Sequence, residues 1–257
     1  MKITKRIFAA FLALTLALGL FLVPANQVEA TGKVAVPSKV RVMPNISDTV
    51  SFDLPAYGYS IKNLKSSSKN LKAKQTYQYN SFDAEEKENE SSATITMYAS
   101  KEGTYKVSFD IYNASGVKES SKKITVYAKS DLPMKSLKLG NKNYLSETDL
   151  NSRLLTAKSG KVSISMAKGY KLKKLEYGVY NKAKDDVVYT TIKNKKKITF
   201  GTEVSSSNYS YTSSYRDYKY NYWRNPALAY TYIRVTYTDK YTKTEQVSTY
   251  SFYKWVN

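Results

Sequence analysis

The sequence predicts an all-β protein made of two tandem β-sandwich domains after a cleaved signal peptide. Residues that favour strands are abundant, above all tyrosine, with 25 copies among 257 residues. Apolar and polar residues alternate in short runs separated by turn residues, which is typical of strands with one buried face. The chain has no cysteine, so we expect hydrophobic cores and not disulfides to hold these domains together.

The first 30 residues contain the three parts of a signal peptide. Three basic residues lie within the first six positions, and an apolar stretch follows from Ile7 to Val23. Small residues at Val28 and Ala30 then predict cleavage after Ala30. The alternative is an uncleaved membrane anchor, because the apolar stretch is long for a signal peptide. We expect a secreted, extracellular, surface-associated protein whose mature chain has no transmembrane segment.

The first half predicts one sandwich domain over residues 31–129. Its clearest strand runs from Tyr105 to Tyr112, where every second residue is apolar. Asn113–Gly116 provides a turn, and residues 123–127 return as the second strand of a hairpin. Further alternating runs predict strands at 39–42, 49–54 and 93–98.

The second half predicts another β-sandwich domain over residues 130–257. Ser130–Pro133 has the composition of a linker, because proline restricts the residue before it to an extended conformation. A long hairpin is again predicted near the end, with strands at 232–237 and 245–253. One short helical turn is predicted over Glu147–Leu155, capped by Ser146. The remaining predicted strands are 161–166, 172–180, 187–192 and 197–200.

Residues Gly103–Gly116 resemble the late hairpin of bacterial immunoglobulin-like and PKD-like domains. Gly103, Tyr105 and Val107 match the Gly-x-Tyr-x-Val start of that hairpin, and Asn113–Gly116 matches its turn. Residues 64–71 resemble the serine-rich turn of such repeats, although the tryptophan expected before it is missing. The resemblance covers residues 34–129. It implies Ig-like sandwiches that act as spacers, adhesion modules or glycan-binding accessories on bacterial surfaces.

Residue types that are absent exclude several kinds of enzyme. The chain has no histidine and no cysteine. A Ser-His-Asp triad, a Cys-His nucleophile pair and a zinc site built on His or Cys are therefore impossible. We predict a protein without catalytic residues, metal sites or cofactors. The remaining enzymatic alternative is a glycan hydrolase that uses two carboxylates, but no acidic pair has a spacing typical of one.

The charge of the chain predicts an anionic partner. The formal net charge is +20, and residues 130–257 hold 23 basic but only 10 acidic side chains. Most of the basic residues are lysines, which act as hydrated point charges and lack the fork geometry of arginine. This favours diffuse attraction to an anionic cell-wall polymer or glycan, and it argues against specific nucleic-acid recognition.

An aromatic stretch between residues 209 and 237 is the main candidate for ligand binding. Ten tyrosines and tryptophans lie within these 29 residues, with basic side chains between them. Such rings stack on sugars, and nearby cations hold anionic groups. The alternative is that the rings pack across strands or in the core. The candidate residues are Tyr211, Tyr215, Arg216, Tyr218, Lys219, Tyr220, Tyr222, Trp223 and Arg224.

Two charged clusters complete the candidates. Lys195, Lys196 and Lys197 lie in a basic run at 193–197 that predicts either a patch for polyanions or a turn kept soluble by charge. The acidic run 83–90 lacks the spacing and the glycine of a calcium loop, so we expect a solvated loop there.

These observations together predict a secreted, non-catalytic, surface-associated binding protein. The second domain is expected to recognise an anionic envelope polymer or glycan through lysine charge and stacking on Tyr and Trp. A structural or adhesion spacer with a surface protein as its partner is the alternative.

Overall fold

The computed structural model describes residues 34–83, 85, 88–145, 153–216 and 218–256. Strands make up 64% of the described residues, and no helix occurs among them, which confirms the all-β prediction. The predicted signal peptide and its cleavage site at Ala30 lie outside the described residues. So do residues 147–152 of the predicted helical turn. Leu154, near the end of that turn, instead forms a β-bridge with Tyr253.

The chain divides into two compact units. Of the described residues, those between 34 and 131 form the first unit together with Lys240–Thr244, and Leu132–Asp239 with 245–256 form the second. Independent folding of domains 31–129 and 130–257 stays a prediction.

The first unit is a sandwich of two sheets. One sheet has the strand order β1-β7-β6-β3, and the other has the order β2-β5-β4. β1 runs parallel to β7, and the other pairs are antiparallel. The strands are β1 (Lys39–Val42), β2 (Ser47–Leu54), β3 (Ser60–Ser66), β4 (Leu71–Asp83), β5 (Glu88–Ala99), β6 (Gly103–Tyr112) and β7 (Lys118–Ala128).

Alternation of apolar residues builds the core of this unit. On β6, Val107, Phe109 and Ile111 are almost fully buried, and the residues between them face outward. The ring of Phe109 stacks on that of Phe52 from the opposite sheet, with 5.4 Å between their centroids. The first strand pairs with the last, and strands 2-5-4 and 7-6-3 lie in separate sheets. This arrangement is the immunoglobulin-like plan.

The acidic run is shorter as a loop than the sequence predicted. β4 extends to Asp83 and β5 restarts at Glu88, so both ends of the run belong to a hairpin. These polar residues belong to strands because backbone pairing with the opposite strand continues beyond the end of the core.

The second unit repeats the sandwich plan with one addition. One sheet has the order β13-β10-β8-β9 and the other β12-β11-β16-β17, while β14 and β15 pair only with each other. The strands are β8 (Met134–Leu139), β9 (Lys142–Asn143), β10 (Ser159–Met166), β11 (Lys171–Asn181), β12 (Asp186–Thr191), β13 (Lys197–Thr199), β14 (Ser207–Thr212), β15 (Lys219–Arg224), β16 (Leu228–Thr238) and β17 (Glu245–Trp255).

The core of the second unit lies between its two larger sheets. Leu137 and Val162 face it from one sheet, and Ile233, Val235 and Phe252 face it from the other. β14 and β15 interrupt the connection between β13 and β16, and they add no residue to this core.

Candidate ligand-binding surface

Residues 207–224 form an exposed two-stranded ribbon, which we call the aromatic ribbon. Every described side chain of β14 and β15 is exposed to solvent. Trp223 is 75% exposed, and Tyr209, Tyr211, Tyr220 and Tyr222 are each more than two-fifths exposed. The rings on these two strands therefore lie outside the core, a question that the sequence left open, whereas Tyr237 at the end of the predicted aromatic stretch is buried.

Strand register gives the ribbon two different faces. Tyr209 lies directly opposite Tyr222, and Tyr211 lies opposite Tyr220. Opposite residues of an antiparallel pair share a face, so these four tyrosines form one cluster with Arg224 at its end. The other face carries Trp223 opposite Asn208, Asn221 opposite Ser210, and Lys219 opposite Thr212.

The tip of the ribbon presents the most exposed aromatic ring among the described residues. Ser213 Oγ accepts hydrogen bonds from the backbone N–H groups of Tyr215 and Arg216, each at 3.2 Å. Ser213 N–H donates to the carbonyl oxygen of Tyr218, which closes the turn. Tyr215 is 93% exposed. Tyr218 precedes β15, whereas Tyr220 and Tyr222 lie two residues apart within it.

Side-chain hydrogen bonds fix the base of the ribbon. Ser206 Oγ donates to Asn225 Oδ1 at 3.0 Å, which brings the two ends together. Glu203 Oε2 accepts the backbone N–H of Lys182 at 2.7 Å, from the turn between β11 and β12. Gly201 N–H donates to the buried Thr231 Oγ1 at 2.8 Å. The ribbon thus leaves the sandwich from a fixed point.

The lysine candidates lie in a separate place, at the β13 edge of the sheet β13-β10-β8-β9. This is the smaller of the two main sheets because its strands are shorter. Asn194 bridges this turn to β10, since its side chain both accepts from Ile164 N–H and donates to Ile164 carbonyl oxygen. Lys195 sits in the left-handed region, with φ of 69°, and Lys196 and Lys197 continue into β13. Lys196 and Lys197 line an open groove of about 550 Å³ together with Lys193 and Tyr177.

Three further lysines of this unit, Lys171, Lys173 and Lys174, are less available. Lys174 Nζ lies 2.7 Å from Glu176 Oε1, and Lys173 Nζ lies 3.9 Å from Glu245 Oε1. Lys171 opens β11 and is exposed. Two of these three cations therefore already have a carboxylate partner.

The structure reveals a second aromatic cluster, which we call the sheet tyrosine surface (Tyr189, Tyr230, Tyr232 and Tyr253). It lies on the outer face of the sheet β12-β11-β16-β17. Tyr232 is 6.4 Å from Tyr189 and 6.1 Å from Tyr230, and Tyr230 is 6.4 Å from Tyr253, measured between ring centroids. The alternation of Tyr230, Tyr232 and Arg234 along one strand was its only sequence signal.

An arginine and a glutamate lie beside this surface. Arg234 Nε donates to Glu176 Oε2 at 2.9 Å, and the guanidinium carbon lies 3.7 Å from the Tyr189 ring centroid. The hydrogen bond from Arg234, helped by Lys174, lowers the pKa of Glu176 below its ordinary value. The same pairing raises the pKa of Arg234. Burial raises the pKa of Tyr189 and Tyr232, so both phenols are neutral at physiological pH.

Neither a metal-binding cluster nor a membrane-spanning helix occurs in the described part of the chain. Its acidic residues form no group of three or more able to hold a metal ion. Within the same ranges, no helix has the length and apolar character needed to cross a membrane.

Comparison with known proteins adds three similarities of fold. The sequence matches no protein-family model, and no curated protein matches it. Fibronectin(III)-like modules of Clostridium thermocellum CbhA share 13% identity, with 88% of this chain and 94% of that chain covered and a TM-score of 0.31. Domains 1–6 of the surface layer protein SbsC share 12%, with 62% and 21% covered and a TM-score of 0.28. The secreted serine protease VesC of Vibrio cholerae shares 10%, with 86% and 46% covered and a TM-score of 0.26.

This chain spans about a fifth of the SbsC chain and slightly less than half of the VesC chain. All three TM-scores are below 0.5, so our description of an immunoglobulin-like plan rests on strand order and core packing in this protein.

Proposed function

We infer that this chain is a non-catalytic, extracellular binding protein that holds an anionic envelope polymer or glycan through the aromatic ribbon. The observation that carries this proposal is that all side chains of β14 and β15 are exposed to solvent, including four tyrosines and one tryptophan. Keeping such a cluster of rings in water costs free energy, and clustered exposed apolar surface typically marks an interaction site.

The chemistry of the ribbon suits a sugar polymer. Tyrosine and tryptophan rings are flat and stack on the apolar faces of other rings, while tyrosine hydroxyl groups exchange hydrogen bonds with polar substituents. The tyrosine face carries four such rings in two cross-strand pairs. Arg224 adds positive charge at the end of this face, while Arg216 at the tip and Lys219 on the other face add positive charge to the ribbon. A polymer with rings and negative charges would satisfy both features.

Lysine charge would act before stacking begins. The strongly basic second half of the chain creates a long-range field that attracts polyanions and raises the rate of encounter. Lys195, Lys196 and Lys197, at the edge of the smaller sheet, would contribute to this attraction without forming part of the ribbon site. We further propose that residues 130–257 form the binding domain and that the mature protein begins after Ala30.

Sedimentation with isolated bacterial cell walls tests the proposal. The chain 31–257 is mixed with the walls at low and at high salt, and the sedimented fraction is measured. Salt screens exposed charges but leaves stacking nearly unchanged. We expect sedimentation that weakens with salt yet persists. Complete loss at high salt would mean that charge alone drives the association, and the proposed role of the ribbon would then be wrong.

Matched variants locate the site. In one, Tyr220→Ser and Tyr222→Ser remove half of the tyrosine face. In the control, Tyr77→Ser and Tyr79→Ser remove two tyrosines of comparable exposure from β4 in the first unit. We expect the ribbon variant to lose most salt-resistant sedimentation and the control to retain it. Equal loss in both, with folding intact, would contradict a specific site.

A protein partner is the second candidate, and the open edges of the ribbon favour it. β14 and β15 pair only with each other in the described residues, so each has one edge of unpaired backbone groups. Such an edge can accept a strand from another protein. Under this alternative, the wild-type chain would not sediment with walls at either salt concentration.

A further inference from the structure

We propose that the sheet tyrosine surface and Arg234 form a separate binding site for a carboxylated sugar polymer, a polyuronate. This goes beyond the proposed function, because it assigns a class of ligand to a second surface of the protein. It places that ligand on the larger sheet of the second unit, away from the residues of the aromatic ribbon.

The guanidinium of Arg234 is held in one orientation. Its Nε is fixed by Glu176 Oε2 at 2.9 Å, and its central carbon lies over the Tyr189 ring at 3.7 Å from the centroid. Tyr189 in turn lies directly opposite Gly178, where any added Cβ would be 2.7 Å from the ring. Because Gly178 has no side chain, the Tyr189 ring can lie over it. A cation fixed in this way loses little entropy when it binds an anion.

The outer edge of the Arg234 guanidinium is available to bind a ligand. Within the described residues, Arg234 uses only its Nε in a hydrogen bond. Its two terminal nitrogens have no partner there, and the side chain is 33% exposed. Two parallel N–H groups match the two oxygens of a carboxylate. Glu176 does not compete for them, because its other oxygen is taken by Lys174 at 2.7 Å and its side chain is only 7% exposed.

Rings continue from this cation along the sheet. Tyr232 is two residues before Arg234 on β16, so both side chains point to the same outer face. Tyr230 follows at 6.1 Å with its ring plane inclined by only 17° to that of Tyr232, and Tyr253 follows on the neighbouring strand. A row of rings beside one anchored cation suits an extended ligand with several rings and at least one anion.

A uronic acid unit combines these features in one monomer, since its carboxylate is bonded directly to the sugar ring. The carboxylate would lie on the Arg234 fork while the ring lies on Tyr232, and the following units would reach Tyr230 and Tyr253. A polyol phosphate polymer has the charge without a ring beside it, and a neutral glucan has the ring without the charge. The sheet tyrosine surface is therefore expected to prefer the polyuronate to both.

Calorimetric titration with hexagalacturonate tests this site. We expect the wild-type chain to bind it and Arg234→Lys to weaken binding at least tenfold, because lysine keeps the charge beside Glu176 but lacks the fork. Arg153→Lys is the matched control and should bind like the wild type. Maltohexaose and a glycerol phosphate oligomer should bind at least tenfold more weakly than hexagalacturonate. Unchanged binding by Arg234→Lys, or equal binding of either other ligand, would overturn the proposal.

Two further measurements separate this site from the ribbon and from misfolding. The variant with Tyr220→Ser and Tyr222→Ser should bind hexagalacturonate normally even if it no longer sediments with walls. If instead that variant alone loses hexagalacturonate, the ligand binds the ribbon and the sheet site is wrong. Should Arg234→Lys fail to fold, titration of the wild-type chain followed by NMR replaces it. The Arg234 Nε–Hε signal must then shift on addition of hexagalacturonate, and an unmoved signal would contradict the site.

Discussion

The hydroxyl group of Tyr105 donates a hydrogen bond to the backbone carbonyl oxygen of Lys101, at 3.0 Å. Tyr105 lies near the start of β6, and its ring passes over Gly103, where an added Cβ would be 2.6 Å away. This is the tyrosine corner of immunoglobulin-like sandwiches, in which a tyrosine fixes the turn before its own strand. The Gly-x-Tyr-x-Val motif in the sequence therefore has a physical role, because the glycine makes room for the ring.

Replacing Tyr105 with phenylalanine is expected to lower the free energy of unfolding of the first unit by about 1 kcal/mol, since one hydrogen bond is lost and the ring is kept. Urea titration of the variant measures this change. Tyr98→Phe is the control, because its exposed hydroxyl lies 3.4 Å from Asn45 Oδ1, and it should change stability by less than about 0.5 kcal/mol. Equal effects of the two variants would contradict the role of the corner.

Gly201 is expected to tolerate no side chain, because an added Cβ would be 2.5 Å from the backbone carbonyl oxygen of Tyr230. Backbone atoms cannot turn away as a side chain can. Gly201→Ala should therefore destabilise the second unit by about 1 to 3 kcal/mol. Thr202→Ala, at the exposed neighbouring position, should stay within about 0.5 kcal/mol of the wild type. Thermal unfolding of both variants measures these changes in stability. An unaffected Gly201→Ala protein would show that the backbone at residue 201 can move away from Tyr230.

Glu176 should make the stability of the second unit depend on acid. Its pKa is lowered in the folded state by the hydrogen bond from Arg234, so the folded state favours the ionised form. The resulting stabilisation is complete above the unfolded pKa, near the ordinary value of 4.5, and is lost as the pH falls through the lower folded pKa. Urea midpoints measured from pH 7 downward should fall less steeply for Glu176→Gln than for the wild type.

The corresponding control is Glu245→Gln, which removes a carboxylate 3.9 Å from Lys173 in a pair that is more than half exposed. Such surface pairs contribute little to stability, so its midpoint at pH 7 should match that of the wild type. A parallel acid dependence in Glu176→Gln and in the wild type would mean that the Arg234 pair does not act in solution.

Removing the aromatic ribbon is expected to leave the sandwich folded. Ser207 and Arg224 are directly paired, and Ser206 and Asn225 are hydrogen-bonded, so an Asn-Gly turn can replace residues 207–224. The ribbon adds nothing to the core, so the free energy of unfolding should change by less than about 1 kcal/mol. Loss of cooperative unfolding in this variant would show that the ribbon packs against the sandwich.

Strands with one regularly alternating buried face could be predicted from sequence. β6 and β16 are examples, because each second side chain enters the core and the others face solvent. β4 could not be predicted, since a bulge between Gln75 and Tyr77 shifts its alternation and most of its side chains are exposed. β8 was missed for a similar reason, as an irregularity opposite its start at Met134 breaks the period of two.

The candidate site was partly accessible to the same reasoning. The sequence identified the aromatic and basic residues between positions 211 and 224 as candidates, but it left open whether their rings are exposed or packed in the core. The sheet tyrosine surface could not be predicted, because it combines rings from three strands with a glutamate on a fourth. Only the register of Gly178 with both Tyr189 and Tyr232 brings these rings together. No spacing along the chain encodes that register.

The parallel pairing of β1 with β7 gives the first unit a mechanical property. β1 enters the unit near its beginning and β7 leaves it near its end, and their backbones are joined side by side from Lys39↔Thr125 to Val42↔Ala128. Tension applied at the two ends of this unit would pull these strands along each other in opposite directions. All hydrogen bonds of the pair would then bear the load together and would not open one at a time. In a chain tethered to a surface and pulled by flow, this short seam would resist extension of the first unit.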